Sequence, residues 1–387
     1  MSTGTPNFVA GRLTEVREAR GLTQTALAEM LGITRAAVSS YENSRSTPSS
    51  DALERISQTL RVPMHRFLRT EQRDPSGPVF YRSMSAATKS ARDRAERRYA
   101  WLRDVVSWLN DQLELPDPRI PDFDLGDDPA AIDFQSIEQL AHDTRRAFGI
   151  GEGPIPDLVL LLENHGVVVA RQDLLAATLD AFSAWTDNGV PFIVLGSEKP
   201  SAVRSRFDAA HELAHCVLHR RVPPRRLRDK ATNKLLEDQA HYFAGAFLLP
   251  ASTFKPDVFV PTLNAFVPLK SKWKVSIGAM IKRCAHLGII SEYQERRLFQ
   301  NRARRGWSTW EPLDDELPLE SPRLIDRSFS LLQQNGLADR AEVESALGLF
   351  VEDVESVTGL PEGFFGDTVQ NFRFPANLSP VSSPESM

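Results

Sequence analysis

The sequence has 387 residues, of which 41% are hydrophobic and 25% are charged, and its formal net charge is -5. These values are ordinary for a globular protein of two or three domains, and the acidic balance excludes a protein that coats nucleic acid with its whole surface. Cys216 and Cys284 are the only cysteines, which excludes a disulfide framework and a thiolate zinc cluster and predicts two buried thiols.

The sequence predicts helices in the N-terminal part of the chain and no membrane-spanning segment. Met1–Asn7 is polar, and no stretch approaches 18 uninterrupted apolar residues, so we expect a cytoplasmic protein. Residues 8–69 show the pattern of short helices, and the segment 70–79, rich in polar residues, Pro and Gly, is typical of a linker. A long helix is predicted for 85–113; its basic first half could contact DNA or form a solvated face.

The remaining elements indicate a small sheet embedded in helices. Strands are predicted at 167–170, 182–185 and 191–195, with the turn Asp187-Asn188-Gly189 before the last. Helices are predicted at 137–148, 155–164, 203–219, 231–247 and 274–300. The acidic segment 306–322 reads as a second linker, followed by three short helices within 324–365. The expected fold class is therefore mainly α with a small β-sheet (α+β).

The predicted helix at 203–219 carries the pattern of a metal site. His211 and His215 lie four residues apart, so both imidazoles can point at one ion from one helix face. Glu212 lies beside them, where a carboxylate can act as general base on water. This HExxH arrangement predicts Zn2+ as the cofactor, with His211 and His215 as metal ligands and Glu212 as a catalytic residue. The alternative is an inert helix with two surface histidines.

A catalytic zinc needs a third protein ligand and one open position. His219 continues the same helix face, but three turns of one straight helix cannot surround a tetrahedral ion, so we assign it a supporting role. Glu237 is the preferred third ligand, because the next predicted helix can pack across the site. Asp238, about 100° around that helix, is the rival, and His241 lies one turn beyond Glu237.

Two segments around these residues, 204–219 and 237–250, resemble the ImmA/IrrE family of metallopeptidases, and the likeness extends over about 80–300. The resemblance implies a zincin-like domain in which Glu237 is the third ligand and Glu212 the general base. The chain departs from the family pattern at His241, where Asn is usual, and at Ala214, where Gly is commoner. Neither change removes a ligand, and His241 becomes a catalytic candidate that could contact the substrate or the oxyanion.

A helix-turn-helix is predicted near the N-terminus. Thr23 and Thr34 stand at helix N-cap positions, with Gly32 between them, and 34–42 is the expected recognition helix. The pattern over 8–69 is similar to XRE/Cro-type repressors. This resemblance implies contacts with a double-stranded DNA operator: phosphate contacts by Gln24 and Asn43, and base-edge contacts by Thr34, Arg35, Ala36 and Ser39.

The charge of this region predicts a homodimer. Residues 1–70 contain nine arginines and six acidic residues, a net charge of +3, so a monomer should bind DNA poorly and a dimer on a palindrome is expected. The alternative is a helix-turn-helix that serves only for protein contacts.

Together, these features predict a DNA-binding regulator whose zinc-dependent peptidase domain cleaves a regulatory protein partner, such as a repressor, in stress response, a mobile element or phage defence. The alternative is a zinc-binding transcription factor or antitoxin whose peptidase-like domain senses or dimerises without cleaving. The expected domains are 1–69 for DNA binding, 80–303 for the peptidase, 304–373 as a helical accessory domain, and 374–387 as a disordered tail.

Overall fold

The structure, a computed structural model, describes residues 4–70, 79–81, 88–174, 180–197, 201–223 and 225–366. The predicted tail and most of the predicted linker at 70–79 lie outside these ranges, although Val79 is the first residue of a strand. No helix within these ranges is both long enough and apolar enough to span a membrane.

The N-terminal region consists of four helices and a short 3-10 turn at Met64–Leu68. The helices are α1 (Ala10–Ala19), α2 (Gln24–Leu31), α3 (Arg35–Glu42) and α4 (Ser50–Leu60). The side chains of Thr23 and Thr34 accept hydrogen bonds from backbone N–H groups in the first turns of α2 and α3. Gly32 ends α2 with a left-handed φ of 64°, a conformation that a side chain disfavours.

A four-stranded sheet and a long helix follow. The strands are β1 (Val79–Tyr81), β2 (Val168–Gln172), β3 (Ala181–Trp185) and β4 (Pro191–Gly196), and the helix between β1 and β2 is α5 (Lys89–Gln112). The strand order is β1-β3-β4-β2. β3 and β4 form an antiparallel hairpin across Gly189, whose φ is 81°, whereas β2 runs parallel to β4. The sequence patterns did not predict β1.

Eleven further helices are present in the described ranges. They are α6 (Phe134–Ala147), α7 (Leu158–Asn164), α8 (Ala202–Leu218), α9 (Lys230–Leu248), α10 (Ala251–Asp257), α11 (Leu263–Trp273), α12 (Ile277–His286), α13 (Glu292–Arg304), α14 (Leu324–Gln334), α15 (Arg340–Leu347) and α16 (Val351–Thr358). The predicted fold class, mainly α with a small sheet, is confirmed.

Several helices differ from the sequence prediction for local reasons. The single helix predicted at 274–300 is wrong: Gly288, with φ of 67°, interrupts it, and Ser291 starts α13 with a capping box. The helices α10 and α11 were not predicted, since each contains a proline. α7 begins later than predicted because the Asp157 side chain caps it directly after Pro156.

The sheet separates two hydrophobic cores, because alternate side chains of a strand point to opposite faces. Val168, Phe182 and Val194 belong to a core shared with α5, the N-terminal helices and α14–α16. Val169 and Ile193 belong to a second core with α6–α9, α11 and α12. α8 therefore lies on one face of the sheet, while the N-terminal helices share the core on the other. The domain limits given above stay predictions.

Glu15 joins the N-terminal helices to α5. Its carboxylate accepts hydrogen bonds from Arg66 Nη2 at 2.5 Å and from Trp101 Nε1 at 2.6 Å, and it pairs with Arg12. Burial alone would raise the pKa of Glu15, but the charges of Arg66 and Arg12 hold it below its usual value. Arg66 Nη1 also donates to the carbonyl of Leu347 at the end of α15. Breaking a buried pair of this kind typically costs about 3–5 kcal/mol.

Glu163, at the end of α7, anchors the start of α14. Its carboxylate accepts hydrogen bonds at 3.0 Å from the backbone N–H groups of Arg323 and Leu324. Burial raises the pKa of Glu163 to about 7, while the two backbone hydrogen bonds partly offset this rise. This carboxyl group therefore titrates close to neutral pH.

This raised pKa predicts a pH-dependent stability. Between pH 4.5 and about 7 the folded protein keeps a proton on Glu163 that the unfolded chain has lost, so stability falls as the pH rises through that window. The glutamine of Glu163→Gln cannot titrate. The difference in free energy of unfolding, variant minus wild type, should therefore become more positive by up to about 3 kcal/mol as the pH rises through this window. Urea unfolding at pH 5, 6, 7 and 8 measures the difference, and parallel pH curves for the two proteins would contradict this assignment.

Candidate metal centre and DNA-binding surface

The helix α8 brings three residues of the predicted motif together at the centre of the second core. It packs against β3, β4 and α9, and nearly all its residues are buried. His211, Glu212 and His215 are all within 1% of complete burial. Buried polar side chains require partners, so this concentration marks a built site and not a solvated helix face.

The atoms that could bind a metal form a compact triangle. His211 Nε2 lies 3.2 Å from His215 Nε2 and 3.2 Å from Glu237 Oε2, and His215 Nε2 lies 3.6 Å from Glu237 Oε1. Two ligand atoms at about 2.1 Å from a tetrahedral zinc are separated by about 3.4 Å. The three side chains therefore fit a tetrahedral zinc ion, with the fourth position open to another ligand.

Glu237 and Asp238 are adjacent on α9 but occupy different surroundings. Among the described residues, the group suited to metal binding comprises His211, His215 and Glu237. Asp238 forms an ion pair with Lys234 one turn earlier on the exposed face of α9. The geometry thus favours Glu237 over its rival as a ligand.

A hydrogen bond from the sheet fixes the position of the Glu212 carboxylate. Its Oε2 accepts a hydrogen bond from Ser183 Oγ of β3 at 2.7 Å. Cys216 lies one turn along α8 from Glu212, and burial, together with the charge of Glu212, raises the pKa of its thiol. Both Cys216 and Cys284 are buried and free, as the sequence predicted. Sequence reasoning missed Ser183 as an individual residue, although it lies within the strand predicted at 182–185.

His219 lies behind His215 and fixes its hydrogen-bonding state. The amide nitrogen of Gln239 donates to the carbonyls of Pro129 and Ile132, both at 2.8 Å, so its Oε1 faces His219 Nε2 at 3.1 Å as an acceptor. His219 Nε2 must then carry the hydrogen, and Nδ1 is left as an acceptor. His215 Nδ1, 2.9 Å away, donates to it, which leaves the lone pair of His215 Nε2 on the side of Glu237.

The surroundings of His219 keep it neutral. Complete burial lowers its pKa to about 4, although the hydrogen bond to Gln239 acts in the opposite direction. Its ring lies on the far side of His215 from the Nε2 atom that faces the triangle, in agreement with the supporting role expected from the sequence. Gln239 is a functional candidate that sequence reasoning missed; a polar residue on the core-facing side of α9 was the available signal.

This geometry predicts that two substitutions at His219 will differ in their effect on zinc affinity. His219→Phe removes the acceptor for His215 Nδ1–H, so the dissociation constant for zinc should rise about 10–100-fold. His219→Gln supplies an amide oxygen and should stay within about threefold of wild type. Competition with a chromophoric chelator measures both constants. An equal loss of affinity in the two variants would assign His219 to packing alone.

His241 lies at the mouth of the site. Its exposed ring is centred 4.6 Å from the ring of His211 and 5.7 Å from that of Phe207. It also lines a cleft that runs along α9. The position agrees with the predicted contact to a substrate, whereas the role itself stays a prediction.

The helix α3 presents the predicted base-reading side chains to solvent. Thr34, Arg35 and Ala36 are exposed and Ser39 is half-buried, whereas Val38 packs into the core of the N-terminal region. An exposed polar face opposite an anchoring apolar residue is the arrangement that a recognition helix needs to enter a major groove.

The two predicted phosphate-contacting residues already have partners within the protein. Gln24 Nε2 donates to Glu42 Oε2 at 2.8 Å, and Glu42 also pairs with Arg17 of α1. Asn43 Nδ2 donates to the carbonyl of Ser39 at 2.7 Å. The contacts of Gln24 and Arg17 with Glu42 join α1, α2 and α3, whereas the Asn43 contact lies within the end of α3. Gln24, for which the sequence predicted only a DNA contact, therefore also holds the two helices of the motif together.

Comparison with known proteins agrees with both regions. Residues 13–67 match the family model described as helix-turn-helix, and residues 162–285 match the one described as IrrE N-terminal-like domain, a peptidase family. The second match includes all three residues of the candidate metal triangle. No curated protein matches the chain. The chain therefore contains one region similar to helix-turn-helix domains and a second region similar to IrrE N-terminal-like domains, in agreement with the two sequence resemblances.

Proposed function

We propose that this protein is a DNA-binding regulator whose peptidase domain uses zinc to cleave a regulatory protein partner. The observation that supports this most strongly is the triangle of His211, His215 and Glu237. The distances between its ligand atoms match those around a tetrahedral zinc ion. The buried carboxylate of Glu212 lies on α8, next to His211 in the sequence. The attached helix-turn-helix favours a regulatory partner over general protein degradation.

The residues around the triangle have distinct proposed roles in peptide hydrolysis. A zinc ion bound there would supply a Lewis acid that polarises the peptide carbonyl and makes water acidic near neutral pH. Glu212 takes the proton of the attacking water and returns it to the leaving amine. Ser183 orients the Glu212 carboxylate through their 2.7 Å hydrogen bond. His241, whose ring lies 4.6 Å from that of His211, would donate a hydrogen bond to the developing oxyanion.

DNA binding is proposed to occur through α3, in a homodimer on a palindromic operator. The exposed face of α3 carries a single arginine, and the N-terminal region has only a small positive charge. Two copies double the number of phosphate contacts, which dominate affinity. The core shared by this region and α5 would then hold the peptidase domain at a set position relative to the operator.

The α3 assignment can be tested by binding to DNA. Arg35→Ala combined with Ser39→Ala removes two base-facing polar side chains, and each good base contact contributes about 1–3 kcal/mol. Operator affinity should therefore fall at least about tenfold in a gel-shift titration at fixed salt. The exposed Arg55→Ala on α4, outside the predicted interface, is the matched control. Unchanged operator affinity in the double variant would contradict this role of α3.

The peptidase proposal is tested by the products formed in cells. New protein N-termini should appear in cells that carry the wild-type protein, under DNA damage or phage infection, and should be absent with Glu212→Gln. If the N-terminal proteomes are identical while both proteins regulate the same genes, the sensing alternative is favoured over cleavage.

A further inference from the structure

A cleft of about 850 Å³ opens beside the candidate metal triangle. His241 lines it, and its ring is 4.6 Å from the ring of His211, so the cleft begins where the metal ligands end. Its volume lies in the range typical of ligand pockets, about 300–1,000 Å³. A peptide bond presented to the triangle would bring a neighbouring side chain of the substrate close to this cleft.

The walls of the cleft are aromatic. Phe134, Phe207, Tyr242 and Phe299 line it. Phe134 remains 46% exposed, although its ring lies only 5.0 Å from that of Tyr242. A large apolar ring that stays exposed at the rim of a pocket is a typical contact for an apolar ligand.

A glycine on α9 keeps this cleft open. Glu237, His241 and Gly245 lie at intervals of four residues, so they form one stripe from the triangle into the cleft. A Cβ atom at Gly245 would find its nearest neighbour, Arg283 Cδ, at 3.8 Å, which is ordinary van der Waals contact. Neither backbone conformation nor helix packing requires glycine here, and glycine weakens a helix interior. Its effect at this position is to leave room.

The charged side chains of the cleft are compensated within the protein. Lys282 pairs with Glu295 and Arg283 with Glu138, while Arg204 donates to the carbonyls of Ser308 and Thr309. Asp238 pairs with Lys234, and Asp180 and Asp208 also take part in polar contacts. A charged ligand group would have to compete with these pairs, whereas an uncharged aromatic or branched group would not.

We propose that this cleft is a subsite which binds a large apolar side chain, aromatic or branched, next to the peptide bond to be cleaved. The subsite rests on the proposed function and adds the substrate class to it: a partner that exposes such a residue in a flexible segment. Gly245 and Phe134 determine this selectivity, one by leaving space and the other by forming a wall.

The binding of two hydroxamates distinguishes the proposed subsite from the metal site. Acetohydroxamate carries only the zinc-binding group, and 3-phenylpropanehydroxamate adds a phenyl ring on a short arm. Calorimetric titration of the zinc-loaded protein should show that the phenyl compound binds at least about tenfold more tightly, as expected for burial of an aromatic ring. The measurement requires no cleavage and no knowledge of the natural substrate.

Three variants locate the effect. Gly245→Leu fills the cleft and should bring the ratio of the two dissociation constants close to one, while the acetohydroxamate constant changes less than about twofold. Phe134→Ala, at an exposed site that tolerates truncation, should lower the ratio about threefold or more. Leu337→Ala, an equally exposed apolar truncation just after α14, is the matched control and should leave the ratio unchanged.

The outcomes distinguish the two levels of the proposal. A wild-type ratio near one, or a ratio that Gly245→Leu and Phe134→Ala both leave unchanged, overturns the subsite while the metal site stands. Failure of both compounds to bind the zinc-loaded protein overturns the metal site, and the subsite with it.

Discussion

Replacing Glu212 with glutamine should leave one zinc bound per chain and lower kcat/KM for the cleaved partner about a thousandfold, within the range for loss of a general base. Glutamine has the shape of glutamate, and its amide oxygen can still accept the hydrogen bond from Ser183. It cannot take a proton from water at neutral pH. The substitution therefore separates proton transfer from folding and metal binding. Metal content by mass spectrometry and cleavage of the purified partner measure the two effects.

Ser183→Ala is the matched control for this result. It removes the hydrogen bond at 2.7 Å but keeps the carboxylate, so activity should fall only about tenfold. If Glu212→Gln cleaves as fast as wild type, another group is the base and the proposed mechanism is wrong. A loss of zinc in the glutamine variant would instead show that Glu212 has a role in building the site.

The core of the candidate site was predictable because it depends on local spacing. His211 and His215 are one helical turn apart in any α-helix, so their spacing alone predicted two imidazoles on one face. The network behind them was not predictable. Gln239 holds His219 only because its amide reaches the carbonyls of Pro129 and Ile132, more than 100 residues earlier in the chain. No periodicity records a contact over that separation.

Buried charge explains another limit of the sequence prediction. The acidic segment 306–322 has the composition of a linker, yet Glu311 and Asp314 are almost completely buried. Both pair with Lys270 of α11, and Glu311 also accepts a hydrogen bond from the backbone of Ile277. Composition indicates solvent exposure for such residues, because a buried charged side chain destabilises the fold unless it is paired. Those partners come from α11 and α12, which the sequence prediction missed or misplaced.

The same dependence on tertiary packing makes Glu237 the most informative test of the metal centre. It approaches His211 and His215 from a separate helix, so the triangle exists only when α8 and α9 are packed together. Glu237→Ala removes one of the three proposed ligands, and the dissociation constant for zinc should rise more than about a hundredfold, beyond the effect of losing an outer partner. Asp238→Ala removes the neighbouring carboxylate and should change it less than about threefold.

The comparison of Glu237→Ala with Asp238→Ala is well controlled because the two residues are adjacent on one helix. Truncation to alanine is chemically similar in both, and neither Glu237 nor Asp238 is fully buried, so general loss of stability should be small and alike. Chelator competition on both variants, with thermal unfolding of the metal-free proteins as a check, gives the answer. If Asp238→Ala loses zinc and Glu237→Ala keeps it, the third ligand must be reassigned. Equal retention in both would leave the two histidines as the only protein ligands and remove the basis for a three-ligand catalytic centre.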